Sequence, residues 1–268
     1  KFWGMIRDIL RFNRETRAEL ERNELEQSEN LGSYLQRKNY GDYFRRYYIV
    51  PMGAAIWSAP EIVLEQFPIR FFLQFFNNHG MLSVDDRPTW RVVEGGSKQY
   101  VDRLIAGHRD RIRLSTAVQS ITRHADHVEV HAAGCEVERY DRIFLGCHAD
   151  QALGLLADPT DAEQEVLGAI PYQTNEAILH TDVSLMPRRQ RAWAAWNYHL
   201  ASADATARAA VTYSMNILQG LSAYRQYCVT LNKTSSIAPE KVLYSVSYEH
   251  PVFGLESAAA QARHREIN

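Results

Sequence analysis

The chain has no Gly-x-Gly-x-x-Gly turn anywhere in its 268 residues. A dinucleotide site normally needs such a turn between a first strand and a helix, because the pyrophosphate must meet bare backbone at the helix N-terminus. Cysteine is scarce as well. Cys135, Cys147 and Cys228 lie far apart, with no Cys-x-x-Cys spacing. This argues against a disulfide framework and a cysteine zinc site, and it fits a reducing cytoplasm. Lysine occurs only at positions 1, 38, 98, 233 and 241, so the basic side chains are mostly arginine. No apolar run approaches the roughly 18 residues of a membrane span. No signal peptide is read at the start, which runs Lys1-Phe2-Trp3-Gly4-Met5 into a charged helix. Neither a Gly-x-Ser-x-Gly elbow nor a P-loop is present, which argues against a hydrolase or a kinase. The net charge is -2, so nucleic acid is not an expected partner and an anionic membrane exerts no bulk attraction. Peripheral membrane contact and oligomeric state stay open.

What is present divides into a helical part and a strand-rich part. Residues 2 to 26 predict an amphipathic helix, with Phe2, Ile6, Ile9, Leu10 and Leu20 near one face. Shorter helices are expected from Leu31, from Asp42 to Ile49, and from Pro60 through Phe71-Phe72-Leu73-Gln74-Phe75-Phe76. Gly80 is placed to end the last of these as a C-cap. Pro51 to Ser58 is small, apolar and aromatic, suited to close packing against backbone or a flat ligand.

From about residue 88 the character changes. Pro88-Thr89-Trp90-Arg91-Val92-Val93-Glu94-Gly95-Gly96-Ser97 predicts a short strand over 90–93 and a glycine turn, then a helix over 98–106. Strands are expected at 112–114, 117–121, 127–131 and 136–140, and a more buried one over 142–146. Cys147-His148-Ala149-Asp150 then leads into a helix. Further strands are expected at 175–181, 193–198, 208–217 and 241–248, with a small polar turn at 201–206 and a helical tail from Ser257.

In this order and spacing, Pro51 to Ser58, Trp90 to Val101, Phe144 to Leu156, Leu167 to Thr181 and Trp193 to Tyr198 resemble the flavin-containing amine oxidase superfamily. The resemblance is to its bacterial predicted NAD/FAD-binding protein group. It implies an α+β chain: a helical region and a mixed β-sheet forming a substrate domain, with a partial, Rossmann-like FAD-binding segment. Residues 1–88 would be the helical part of the substrate domain and 89–158 the middle segment of the FAD domain. Residues 159–268 would be the sheet part and the start of the return to the FAD domain. The glycine-rich motif would lie outside the chain, making it an internal piece that carries no FAD by itself.

The resemblance implies that Val118 reads the FAD adenine edge through its backbone; the plain alternative is a core strand residue. Cys147 and His148 follow a strand at the edge where ligands gather in open α/β sheets, although His148 serves equally as a helix cap. Gly95 and Gly96 make a tight turn, with flavin proximity as a second role. Trp57, Trp196 and Tyr198 are the substrate-facing candidates. Many amine oxidases carry a lysine on the strand corresponding to Asn175–Thr181, and this strand has none. The implied reaction is therefore oxidation or desaturation of an apolar, fatty acyl-like substrate, with FAD as the redox group. No catalytic residue is assigned.

Plainer readings compete. Phe71 to Phe76 also suits ordinary helical core packing. His124, His127 and His131 lack a completing ligand set, so no metal is assigned. The chain could instead be a non-catalytic module that binds an apolar ligand or a partner.

Overall fold

The computed structural model describes residues 1–26, 28–85, 88–200 and 208–267. Along the chain come α1 (Phe2–Arg22), α2 (Leu31–Arg37), α3 (Asp42–Phe44), α4 (Val50–Trp57), α5 (Glu61–Leu64) and α6 (Ile69–Asn78). Then follow α7 (Lys98–Leu104), β1 (Val118–Arg123), β2 (Val128–Ala132), β3 (Glu138–Tyr140), α8 (Ala149–Leu155) and α9 (Asp161–Gly168). The remainder is β4 (Tyr172–His180), β5 (Trp196–His199), β6 (Ala210–Ser214), α10 (Met215–Gln219), β7 (Cys228–Leu231), β8 (Val242–Pro251) and α11 (Leu255–Ala262). The class is α+β, with strand pairing in two antiparallel sheets. Two compact units result, one from 1–96 and 173–255, the other from 97–172 and 256–268.

In the first unit, six helices bury one aromatic core. Phe12, Tyr34, Phe44, Phe67, Phe72 and Phe76 are its largest members, essentially closed to solvent. Helix α2 starts at a capping box in which Asn30 accepts from the Ser33 N–H at 2.9 Å. Glu19 is buried between α1 and α2 because the Tyr34 hydroxyl donates to it at 2.7 Å and Lys38 pairs with it. Between α3 and α4 the helix widens into a π turn over Arg45–Ile49, with the Val50 N–H bonded to the Arg45 carbonyl. Pro51 follows and has no N–H for the usual ladder, so the wider turn costs less there.

Gly53 lets α4 approach its neighbours: a Cβ there would lie 2.7 Å from a Leu64 methyl and 3.0 Å from the Phe72 ring. Helix α6 closes as expected at Gly80, whose φ is 65°. The Gly80 N–H reaches the Asn77 carbonyl at 3.0 Å and the Met81 N–H reaches Phe76 at 2.8 Å, the paired bonds of a Schellman ending. This unit's sheet runs in the order β5-β6-β7-β4-β8. Its Tyr198 side faces the helical core, while Ile178 on the opposite side packs with Leu185 and Ile237.

The second unit holds the β1-β2-β3 sheet with α7, α8, α9 and α11. Ile121 is fully buried and its carbonyl accepts from the Ala157 N–H at 2.9 Å. Arg123 ties β1 to α9 through Glu163, at 2.5 and 3.0 Å.

Three expected strands do not form. Residues 90–93, 112–114 and 142–146 have no ladder, and Phe144 is 95% exposed rather than buried. Their apolar residue types suit a strand, but a strand exists only where another backbone supplies hydrogen bonds, and among the described residues none does. The expected strand over 208–217 is shorter than its pattern: β6 stops at Ser214, whose side chain caps α10. The polar turn expected at 201–206 lies outside the described residues.

Candidate functional site

The sequence of α6 places Phe71 and Phe75 one helical turn apart, beside the fully buried pair Phe72 and Phe76. Trp57 ends α4 against all four rings, with centroids from 4.9 to 6.4 Å away. Phe253 stacks on Phe71 at 4.8 Å, and His79 on Phe75 at 4.0 Å. Trp57, Phe71, Phe75 and Phe253 are only half-buried, so this aromatic wall is core on one side and open on the other.

Tyr198 packs on the same cluster from β5. Trp196, two residues earlier on the strand, is 45% exposed and meets Tyr213 edge-on at 5.3 Å instead. The structure thus gathers Trp57 and Tyr198 on one cluster but gives Trp196 a different neighbour. Burial pushes the Tyr198 hydroxyl up to about 12, and the nearby Glu61 charge adds to the shift. Glu61 is itself raised, by burial first and then by Glu65. This pair was not singled out from sequence. Its one available signal is an acid directly after Pro60, in the first turn of a helix flanked by aromatic segments.

The other face of this sheet carries a polar row beside Ile178. His180, Thr230, Thr212 and His199 form a hydrogen-bonded row across β4, β7, β6 and β5, each contact 2.7 to 2.8 Å. His199 ends the row at a cleft of about 380 Å³, shared with Arg188, Lys233 and Ser236. Strand β4 carries no lysine.

In the second unit, Val118 opens β1 and is 37% exposed. The register with β2 shifts between Val118 and Ser120, a bulge that disrupts the ladder beside it. Cys147 is an exposed free thiol. His148 caps α8, and its ring stacks on Tyr172 at 4.4 Å and 11°. The Tyr172 hydroxyl accepts from the Ala149 N–H at 2.8 Å. Gly95 and Gly96, which end the first unit, adopt φ of 75° and 85° in a turn where the Gly96 N–H reaches Val93 at 2.9 Å. Nothing stands within 4 Å of a Cβ built on Gly96, so dihedral angle rather than close approach calls for glycine there.

The sequence pattern of the flavin containing amine oxidoreductases matches residues 5–230, most of the chain. The chain belongs to that family. Among solved structures, a putrescine oxidase bound to putrescine superposes with a TM-score of 0.63 at 11% identity, over 97% of this chain and 67% of that one. The cyclohexylamine oxidase of Brevibacterium oxydans gives 0.56 at 10% identity, over 87% of this chain and 59% of its own. The CLA-producing fatty acid isomerase of P. acnes gives 0.58 at 13%, over 90% and 59%. No curated protein matches in sequence. At such low identity these likenesses show the fold of the flavin containing amine oxidoreductases, and two of the three structures are matched over 59% of their length. No helix among the described residues is long and apolar enough to cross a membrane.

Proposed function

We propose that the chain is part of an FAD-dependent oxidoreductase that oxidises or desaturates an apolar, fatty acyl-like substrate. The observation that supports this most is the half-open aromatic wall of Trp57, Phe71, Phe75 and Phe253. Flat rings suit an acyl chain through area and shape, whereas a polyamine would call for carboxylates at spaced positions. The lysine-free β4 favours the same reading over amine chemistry.

In this proposal residues 89–158 belong to the FAD domain. Phe144 and Leu114 stand 95% and 81% exposed, apolar side chains on backbone without a ladder, as befits strands awaiting further strands. Val118 fits an adenine edge: its side chain is half-open, and the neighbouring bulge disturbs the ladder that would otherwise occupy the backbone. Cys147 and His148 would cover the cofactor from the start of α8. No residues here fit the pyrophosphate, because that cradle needs the missing glycine motif. When bound, FAD supplies the acceptor for the electron pair and hydrogen that leave the substrate. Trp57 and its neighbours orient the chain and exclude water; Tyr198, kept neutral by burial, presents a hydroxyl at the wall.

The test is anaerobic mixing of the complete, flavin-loaded gene product with an unsaturated fatty acid or with putrescine. Bleaching by the acyl chain, with loss of two hydrogens in the product mass, is the expected result. Bleaching by putrescine while fatty acids stay inert would refute the assignment.

A further inference from the structure

We propose that the β1–β2 turn is a binding site for a zinc-class divalent cation, held by His124, His127 and Glu129. The site follows from the hairpin itself. Arg123 pairs with Val128, and the His124 N–H donates to the His127 carbonyl at 2.8 Å. The two histidines therefore flank the turn as cross-strand neighbours, their rings stacked at 4.4 Å and 12°. Glu129 lies on β2, two residues beyond His127, which directly precedes that strand, and its carboxylate reaches both imidazoles.

The three donor groups converge within 4.8 Å of one another. Glu129 Oε2 is 3.4 Å from His124 Nε2, and its Oε1 is 3.5 Å from His127 Nε2. A tetrahedral site with bonds of about 2.0–2.1 Å separates its donor atoms by about 3.3–3.4 Å. Each histidine thus stands at about that spacing from one oxygen of Glu129, and a carboxylate that offers both oxygens to the ion needs only a small closure of the turn.

The hydrogen-bond geometry points the same way. Asp126 Oδ1 lies 2.7 Å from His127 Nδ1 and so accepts from it. His127 Nε2 is shielded from solvent, lacks a hydrogen bond of normal length, and is turned toward Glu129 Oε1 at 3.5 Å. A cation placed there would satisfy both groups. A carboxylate on the far nitrogen of a ligating histidine is the usual support of such sites, fixing both tautomer and orientation. Arg139 engages Glu129 Oε1 at 3.0 Å and so competes with the ion for that oxygen, while Oε2 is the one nearest His124. Two imidazoles and one carboxylate select zinc, cobalt or nickel rather than calcium or magnesium, which prefer all-oxygen shells. The position left by three protein ligands goes to water.

The test uses the untagged chain, titrated with Zn²⁺ by calorimetry and with Co²⁺ by visible absorption. One equivalent should bind. His124→Ala and His127→Ala should each weaken binding at least tenfold. Asp126→Asn should weaken it by about tenfold, the lower end of the usual effect of losing such a support. His131→Ala, on the same strand but outside the cluster, should leave affinity unchanged. Circular dichroism of each variant separates loss of the site from loss of the hairpin, and Arg139→Gln keeps a positive test available by strengthening binding. Absence of binding at micromolar Zn²⁺, or binding that survives both histidine substitutions, would overturn the assignment.

Discussion

The hydroxyls of Thr212 and Thr230 lie 2.8 Å apart in the interior of the five-stranded sheet, and they join two histidines. The Asp182 N–H donates to His180 Nδ1 at 3.1 Å, so in the neutral ring Nε2 carries the proton. That N–H donates to Thr230, whose hydroxyl is bonded to Thr212, and Thr212 in turn to His199 Nε2. One backbone amide thereby fixes the donor at the head of the row. His199 ends it at the edge of the cleft that also holds Lys233.

Breaking the row in the middle should be costly. Thr230→Val keeps shape but leaves the His180 N–H without an acceptor and removes one of the two partners of the Thr212 hydroxyl, both buried. A loss of about 1–3 kcal/mol is expected for orphaned buried groups. Urea unfolding should show a lower midpoint at unchanged slope. A midpoint equal to that of the parent would contradict a stabilising role for the row.

The same histidines make the fold sensitive to mild acid. Burial lowers His180, partly opposed by Asp182; burial and then Lys233 lower His199. The unfolded chain binds protons near the ordinary value of about 6.5 that the folded chain refuses. Stability is therefore full above that value and falls as pH drops below it. Urea midpoints at successive pH values should decline from neutral pH toward pH 5, and His180→Gln should flatten the decline.

Asp182 acts in a lower window. Burial would raise its carboxyl, but N–H groups of Ala238 and Ser184 and the Lys241 ammonium, each about 3.0 Å away, outweigh burial and hold it well below the usual carboxylate range. Its contribution is present above about pH 4 and is lost as pH falls through the folded value. Asp182→Asn should cost about 1–3 kcal/mol at neutral pH and reduce the extra loss on acidification below pH 4. Chemical denaturation at both pH values checks this.

Gly80→Ala tests the end of α6. The left-handed backbone costs a residue with a Cβ about 1–2 kcal/mol, and here the Cβ would also press on the Pro88 ring. A thermal midpoint several degrees lower is expected, while Gly96→Ala, which meets nothing, should show only the backbone part.

Helix α6 and its glycine ending were legible in the sequence because both are local: apolar spacing and one residue type suffice. The β2 strand was legible from Val128 and Val130 alternating with polar neighbours. Residues 142–146 were not, because Phe144 and Leu145 look the same whether or not a second backbone lies alongside. The threonine row was hidden for another reason: its members are 18 and 50 residues apart and meet only through strand register. No sequence pattern ties His124 to His127 and Glu129. Only the four-residue closure of the hairpin brings it opposite them.

The π turn before α4 has a consequence for the aromatic wall. One surplus residue in Arg45–Ile49 sets the angular phase of everything after it, Trp57 included. Wound as ordinary α-helix, the same residues would swing the indole by about 100° around the axis, off the phenylalanine rings. The placement of that indole thus depends on a local miscount in the backbone as much as on the residues that touch it.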